Sequence, residues 1–419
     1  MTLELNTDQR AAVDACAQSI RDRAPVTRLF GYAGTGKTTI ASTVVEEAGL
    51  DMYRVQFAAP TGKAAAVLAR KLKAYGIGAK TIHSLLYQPP KKVTVCKACG
   101  AEDSAINGKC INCGKPFVAR AGKDVFRWTL DDAKTEAAEN LDLLVVDEAS
   151  MIGTKLGNDI MYLGVPVLAI GDPMQLQPIN DKRFFMEEAP TAQLEQIMRS
   201  GNDVLPLAQD IRRNGLRAIN RYRDINLGQI GQSHALDYSQ IIVGKNRTRD
   251  LKNRKMRELH GYAGDMPMVG ERIICLRNNY GLGCLNGQQF TITEIHDEQS
   301  EYWKAQGMFI AYLKCDCGAA YDITSRCTIC GWASNRLMPI WLKGFTGHAG
   351  ERELADMRYQ DGNRAMMATY GYCITAHKSQ GSEWPSVLVI NEAWGKEAVN
   401  WLYTAVTRAK NEVAIIRGR

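Results

Sequence analysis

Gly31-Tyr32-Ala33-Gly34-Thr35-Gly36-Lys37-Thr38 is the stretch on which the fold turns. It fits the pattern G-x-x-x-x-G-K-[ST] and follows directly on the apolar run Val26–Phe30. It therefore reads as the turn between a buried parallel strand and the helix after it. Glycine accepts the backbone curl that aims successive N–H groups at an anion, and the helix dipole adds to that attraction. Gly34, Thr35 and Gly36 are the expected phosphate cradle, with Lys37 offsetting β- and γ-phosphate charge. The Thr38 hydroxyl is the expected ligand for Mg²⁺, with Thr39 beside it.

Working outward, Leu143-Leu144-Val145-Val146-Asp147-Glu148 is an apolar strand ending in two acids. Beside a phosphate loop, Asp147 would hold Mg²⁺ through water and Glu148 would polarise the attacking water. The run Val165–Ile170 leads into Gly171-Asp172-Pro173-Met174-Gln175-Leu176-Gln177-Pro178. That stretch reads either as plain turn punctuation or as the place where Gln175 senses a γ-phosphate. Apolar runs also occur at Leu141–Val146 and Val387–Ile390, and helical patterns separate the runs. One such pattern, Asp8–Ile20, sets Val13, Cys16 and Ile20 on one side with Thr7 as N-cap. The alternation predicts an α/β protein with doubly wound parallel sheets.

At 419 residues, one core would be unusually large, so two major domains plus insertions are expected. With 45% hydrophobic and 23% charged residues, and no long uncharged apolar run, the chain should not span a membrane. Its first ten residues are polar and acidic, unlike a secretion signal, which predicts a reducing cytoplasmic location and no disulfides. The net charge is +7, and the stretch from Arg199 to Arg257 holds 13 Lys or Arg against 5 Asp or Glu. A solvated helical face and a nucleic-acid contact explain this run equally well.

Eight of the 12 cysteines form two clusters. Cys96-Lys97-Ala98-Cys99-Gly100 and Cys110-Ile111-Asn112-Cys113-Gly114 are paired C-x-x-C-G knuckles, a spacing that predicts one tetrahedral structural Zn²⁺. The second cluster, Cys315 and Cys317 with Cys327 and Cys330, predicts a second structural Zn²⁺ site; its C-x-C pair is less regular, and the alternatives are a degenerate ribbon or a site using fewer cysteines. Each cluster lies in a segment that interrupts the α/β alternation. Such small excursions bury little core, so a metal would supply their folding energy. Phe117, Phe126 and Trp128 lie near the first cluster, and by themselves they read as core aromatics.

In chain order, these motifs resemble the superfamily one helicases, most closely the class B branch typified by RecD and Dda. Leu5-Asn6-Thr7-Asp8-Gln9 is similar to that family's adenine-reading Q motif. Ala59-Pro60-Thr61-Gly62-Lys63-Ala64-Ala65 resembles motif Ia, and Thr81-Ile82-His83-Ser84-Leu85 resembles motif Ib. Gly171 to Pro178 resembles motif III, and Leu194-Glu195-Gln196-Ile197-Met198-Arg199 resembles motif IV. Ile374-Thr375-Ala376-His377-Lys378-Ser379-Gln380-Gly381-Ser382-Glu383 is similar to motif V, and Tyr403-Thr404-Ala405-Val406-Thr407-Arg408-Ala409-Lys410 to motif VI.

The resemblance implies two RecA-like P-loop cores with small inserted β-rich zinc-binding subdomains. It divides the chain into a first core over 1–88 and 129–195 and a second over 196–292 and 365–419. Insertions fall at 89–128, in the place of a strand-splitting pin for which Phe117, Phe126 and Trp128 would be the candidate wedges, and at 293–364, in the place of a small barrel. It implies ATP-driven motion on single-stranded DNA, 5′ to 3′, with unwinding of forked duplex in replication, recombination or repair. It implies a monomer of bacterial or phage type, working with replication or recombination proteins. ATP and Mg²⁺ would be met by Gln9, by the phosphate loop, and by Gln380, Gly381 and Glu383. Lys37, Asp147, Glu148, Gln175, Arg199 and Arg408 would carry the chemistry. Arg408, expected on a helix over Lys396–Lys410, would act as an arginine finger from the second core. DNA would run past Pro60, Thr61, Lys63, His83, His377 and Lys378, chiefly through phosphate contacts. By themselves, the two histidines read as structural hydrogen-bonders. Two alternatives stand beside this reading. One is a translocase that separates no strands; the other is a zinc-ribbon nucleic-acid-binding protein whose nucleotide site is a switch.

Overall fold

The computed structural model describes residues 4–88, 91–101, 105–118, 125–198, 204–220, 232–279, 281–296, 307–316, 327, 332–333, 336–345 and 364–417. Its first lobe opens with α1 (Thr7–Arg21), β1 (Val26–Gly31), α2 (Lys37–Glu47), β2 (Val55–Ala59), α3 (Gly62–Leu72), β3 (Ala79–Thr81) and α4 (Ile82–Leu86). Four short strands follow: β4 (Lys91–Val93), β5 (Ala105–Ile106), β6 (Lys109–Cys110) and β7 (Val125–Arg127). The lobe resumes with α5 (Asp132–Ala138), β8 (Leu143–Val146), α6 (Thr154–Met161), β9 (Val167–Gly171) and β10 (Ala192–Leu194).

The first-lobe sheet has the order β10-β1-β9-β8-β2-β3, parallel throughout. Every residue of β8 and β9 is buried, as continuous apolar runs require when helices cover both faces. Val13, Cys16, Ile40 and Val44 cover one face with Leu29 and Phe57, while Ile82, Leu86, Ile152 and Phe185 cover the other. Each large apolar side chain so buried contributes about 1.5–3 kcal/mol. α1 is capped one residue before the expected position: Asn6 holds an extended backbone and accepts from the Gln9 N–H at 2.7 Å. The Asn6 N–H donates back to Gln9 Oε1 at 3.3 Å, so a capping box with glutamine in its third position, rather than Thr7, starts the helix.

The second lobe comprises α7 (Val204–Asn214), β11 (Gln240–Val243), α8 (Asn246–Leu259), β12 (Arg272–Cys275), β13 (Gln289–Ile295), β14 (Met308–Cys315), β15 (Leu337–Trp341), β16 (Ala368–Tyr370), β17 (Cys373–Thr375), α9 (Ala376–Ser379), β18 (Trp384–Asn391), α10 (Ala398–Val406) and β19 (Ala409–Arg417). Its parallel sheet has the order β17-β11-β18-β19. α7 and α10 cover one face through Leu207, Ile211, Leu402 and Val406. An antiparallel sheet, β15-β14-β13-β12-β16, packs on the other through Phe290, Ile292 and Leu313. The two-lobed α/β architecture with an inserted β element is thus the one expected. The antiparallel sheet starts at Arg272 and ends at Tyr370, wider than the 293–364 segment. β12 is apolar enough to pass for a parallel strand, and its pairing with β13 and β16 is what assigns it. α10 ends at Val406, so Arg408 lies in the turn between helix and strand, not on a helix reaching Lys410. No helix among the described residues is long and apolar enough to cross a membrane.

Candidate active site

Sheet order sets the site. β1, β9 and β8 are neighbours, so the phosphate loop, the 172–176 loop and Asp147-Glu148 meet at one carboxyl edge. Gly34 and Gly36 hold left-handed φ of 81° and 85°. A Cβ on Gly36 would lie 2.7 Å from Gln9 Nε2, so the loop closes here only around glycine. Gln9 Nε2 donates to the Thr35 carbonyl at 3.1 Å, which ties α1 to the loop. Thr35 is fully buried, and its Oγ1 donates to the Tyr32 carbonyl at 2.9 Å. Lys37 Nζ donates to the same carbonyl at 2.9 Å, while Thr39 is exposed on the first turn of α2.

Thr38 Oγ1 donates to Asp147 Oδ2 at 2.9 Å, which joins the two strand ends through oxygens that suit a hard cation. Asp147 Oδ1 accepts from the Glu148 N–H at 2.9 Å. Glu148 itself holds φ 54°, ψ 40°, a left-handed conformation that costs a non-glycine residue about 1–3 kcal/mol. Burial and the adjacent Asp147 carboxylate push its carboxyl up to about 7, against the pull of Arg408 and Lys37. A base that orients water works only when ionised. We therefore expect kcat/KM for ATP to rise with pH through about 7 and to fall about tenfold per unit below it. A pH–rate profile checks this, and Glu148→Gln should lose both turnover and the limb.

The second lobe reaches into this edge. Arg408 is buried, and three hydrogen bonds orient its guanidinium: Nε to the Thr404 carbonyl at 3.1 Å, Nη1 to the Ser382 carbonyl at 3.3 Å and Nη2 to Thr407 Oγ1 at 3.2 Å. Gln175, on the 172–176 loop, is 4% exposed and its Oε1 has no hydrogen-bond partner, so a buried acceptor is left unsatisfied. Gln380 Nε2 donates to the Leu176 carbonyl at 3.2 Å, which places it against the 172–176 loop. Gly381 lies against Ala64, and Glu383 is exposed. Arg199 lies outside the described residues, although the Met198 N–H before it donates to the Gly34 carbonyl at 2.9 Å. The guanidinium of Arg212, from the basic stretch, sits 4.0 Å over the Tyr32 ring. Tyr403 and Asp172, quoted above without roles, are hydrogen-bonded to each other across the lobes at 3.1 Å.

The six residues expected along a strand lie on, or just before, the helices that follow three parallel strands. Thr61, next to Pro60, caps α3 by accepting from the Ala64 N–H at 3.2 Å. Lys63 Nζ stands 4.9 Å over the Trp384 ring of the other lobe, and Lys378 is half-buried on α9 beside His377. His83 packs edge-on against Trp128, with centroids 5.2 Å apart, and also meets Tyr87. Burial pushes both His83 and His377 below the ordinary imidazole range, which favours their neutral forms. Phe117 is half-buried, and the Phe126 side chain lies outside the description.

The first cysteine cluster closes on itself. Cys96, Cys99, Cys110 and Cys113 have sulfurs within 4.8 Å of one another, with 4.0 Å from Cys96 to Cys113 and 3.6 Å from Cys99 to Cys110. A tetrahedral Zn²⁺ with Zn–S of about 2.3 Å separates its sulfurs by about 3.8 Å, so the donor set fits. Gly100 and Gly114 turn through φ 77° and 68°, and their N–H groups reach back to the Cys96 and Cys110 carbonyls. In the second cluster, Cys315 and Cys327 are buried beside Phe290 and Trp332, while Cys317 and Cys330 lie outside the described residues.

Residues 4–232 match the AAA domain family, and residues 370–416 match the UvrD-like helicase C-terminal domain. The ATP-dependent RecD2 DNA helicase of Deinococcus radiodurans is 26% identical over 403 residues, which cover 91% of this chain and 46% of that protein. The chain spans less than half the length of the curated relatives it matches. A structure of two coordinating Pif1 helicases at forked double-stranded DNA aligns with TM-score 0.58 and 17% identity, covering 99% of this chain and 92% of that one. Pif1 from Bacteroides with ADP-AlF3 and single-stranded DNA aligns at 0.57 and 16%, with the same coverage.

Proposed function

We propose that this chain, which belongs to the AAA domain family and, with its UvrD-like C-terminal unit, to the RecD/Pif1-like class B helicases of superfamily one, is an ATP-dependent DNA helicase. The observation that carries this reading is the shared site. Thr38 and Asp147 meet at the carboxyl edge of the first sheet, and Tyr403 and Thr404 of the second lobe hydrogen-bond the phosphate loop and the 172–176 loop, which brings Arg408 to the same edge.

The amides of Gly34, Thr35 and Gly36, with Lys37 and Thr39, seat the phosphates, and Gln9 holds the loop beneath the base. Thr38 and Asp147 are the residues that would hold Mg²⁺, which when bound neutralises phosphate charge. Glu148 and Gln175 orient the attacking water, while Arg408 and Arg199 meet the developing charge from the far side. Gln380, Gly381 and Glu383 line the lobe junction and relay closure. Closing and opening ratchets the lobes along a strand that passes Pro60, Thr61, Lys63, His83, His377 and Lys378. Polarity is 5′ to 3′, as in the class B branch, and forked DNA is the substrate. The test is ATP turnover with and without single-stranded DNA, followed by displacement of 5′- and 3′-tailed duplexes. Strand-stimulated turnover without displacement from either tail would instead make the protein a translocase.

The first cysteine cluster holds structural Zn²⁺. Cys99→Ser with Cys110→Ser should lower bound zinc by one ion per chain, measured by atomic emission, and should expose the ribbon to protease. ATPase should persist, because the ribbon lies outside both parallel sheets. Unchanged zinc content would refute the site.

A further inference from the structure

One face of α10 grips the 172–176 loop of the other lobe. Asn400 Nδ2 donates to the Met174 carbonyl at 3.1 Å, and Thr404 Oγ1 accepts from the Leu176 N–H at 2.9 Å. Between them, the Tyr403 hydroxyl donates to Asp172 Oδ2 at 3.1 Å. Spacing of i, i+3 and i+4 puts the three side chains on one helical face. The Tyr403 oxygen has a second partner, the Ala33 N–H inside the phosphate loop, at 2.9 Å. One oxygen of the second lobe therefore bridges the loop that seats the phosphates and the loop that presents Gln175.

We propose that Tyr403 is a positioning residue that couples the phosphate loop to the 172–176 loop and, through α10, to Arg408. The proposal rests on the ATPase reading above. Tyr403 is 2% exposed and Asp172 is 0% exposed, so water is a poor substitute for either partner. Burial, with the Asp172 carboxylate beside it, drives the phenol well above its ordinary range, so the oxygen keeps its proton and donates. The Asp172 carboxylate is fixed from the other side by the Met174 N–H at 2.9 Å. Thr404, which grips Leu176, also takes the Arg408 Nε–H on its carbonyl. A shift of the phosphate loop thus moves the Gln175 loop and the arginine through one rigid helix rather than separately.

Tyr403→Phe keeps the ring and deletes the bridging oxygen. In single-stranded-DNA-stimulated hydrolysis, kcat should fall about tenfold or more, while KM for ATP stays within about threefold. A merely structural loss would not divide in this way. Asp172→Ala removes the acceptor of the same link, so the double variant should be no slower than the slower single variant. Hydrogen exchange across 398–408 should slow on binding ADP–aluminium fluoride in the parent protein but not in Tyr403→Phe, although both bind the nucleotide. Multiplying kinetic effects, an unchanged kcat, or equal exchange protection would overturn the coupling. If the parent protein does not hydrolyse ATP, the ATPase reading falls, and the exchange comparison still decides the link.

Discussion

Lys37→Ala lowers ATP turnover by about a thousandfold or more, to the limit of detection in a phosphate-release assay. The lysine is half-buried at the head of α2, and its Nζ donates to the Tyr32 carbonyl beside the phosphate cradle, so it is oriented before a phosphate arrives. Losing one preorganised donor from such a site typically costs about a hundredfold to a thousandfold in kcat. Here the same cation also draws Glu148 toward its ionised form. Without it, the carboxyl rises further and less of it is competent near neutral pH. Both effects act in one direction, and strand-stimulated turnover near the parent rate would refute the assignment.

Arg408→Ala separates binding from turnover. The phosphate loop, Thr38, Asp147 and Gln9 all belong to the first lobe, so nucleotide affinity should stay within about threefold. Hydrolysis should fall by about a thousandfold or more, the range an arginine finger supplies. The guanidinium has five donors, of which Thr404, Ser382 and Thr407 engage three, so it is oriented before a phosphate arrives. Arg408→Lys should recover little, because an ammonium cannot use that fixed fork. Fluorescent-nucleotide titration alongside single-turnover hydrolysis checks both halves. Affinity lost in step with rate would show that Arg408 only holds the lobe together.

Much of the site was legible because its parts are local. A glycine-rich turn after an apolar run, two acids at a strand end and paired C-x-x-C-G knuckles each place their chemistry within a few residues. Where the reading slipped, short-range pattern was ambiguous. Lys396–Lys410 is apolar in a way that suits both a helix and a strand, and the turn at Thr407-Arg408 carries no glycine or proline to mark it. The inserted sheet begins before residue 293 because β12 is a short apolar run that nothing local marks as antiparallel, and only its pairing with β13 and β16 assigns it. The capping box at Asn6 was missed because a neighbouring threonine offered an equally good side chain.

Local sequence pattern carries the phosphate loop, the acidic strand end, the four paired cysteines of the first cluster and the two-lobed α/β plan. Those depend on backbone conformations that the residues dictate locally. Tertiary structure alone decided what stands opposite them. Tyr403 meets Ala33 across 370 residues and Asp172 across 231, and no local pattern encodes a hydrogen bond that exists only when two sheets are packed edge against helix. The same packing surrounds Glu148 with two cations and two carboxylates and so sets the range in which it ionises.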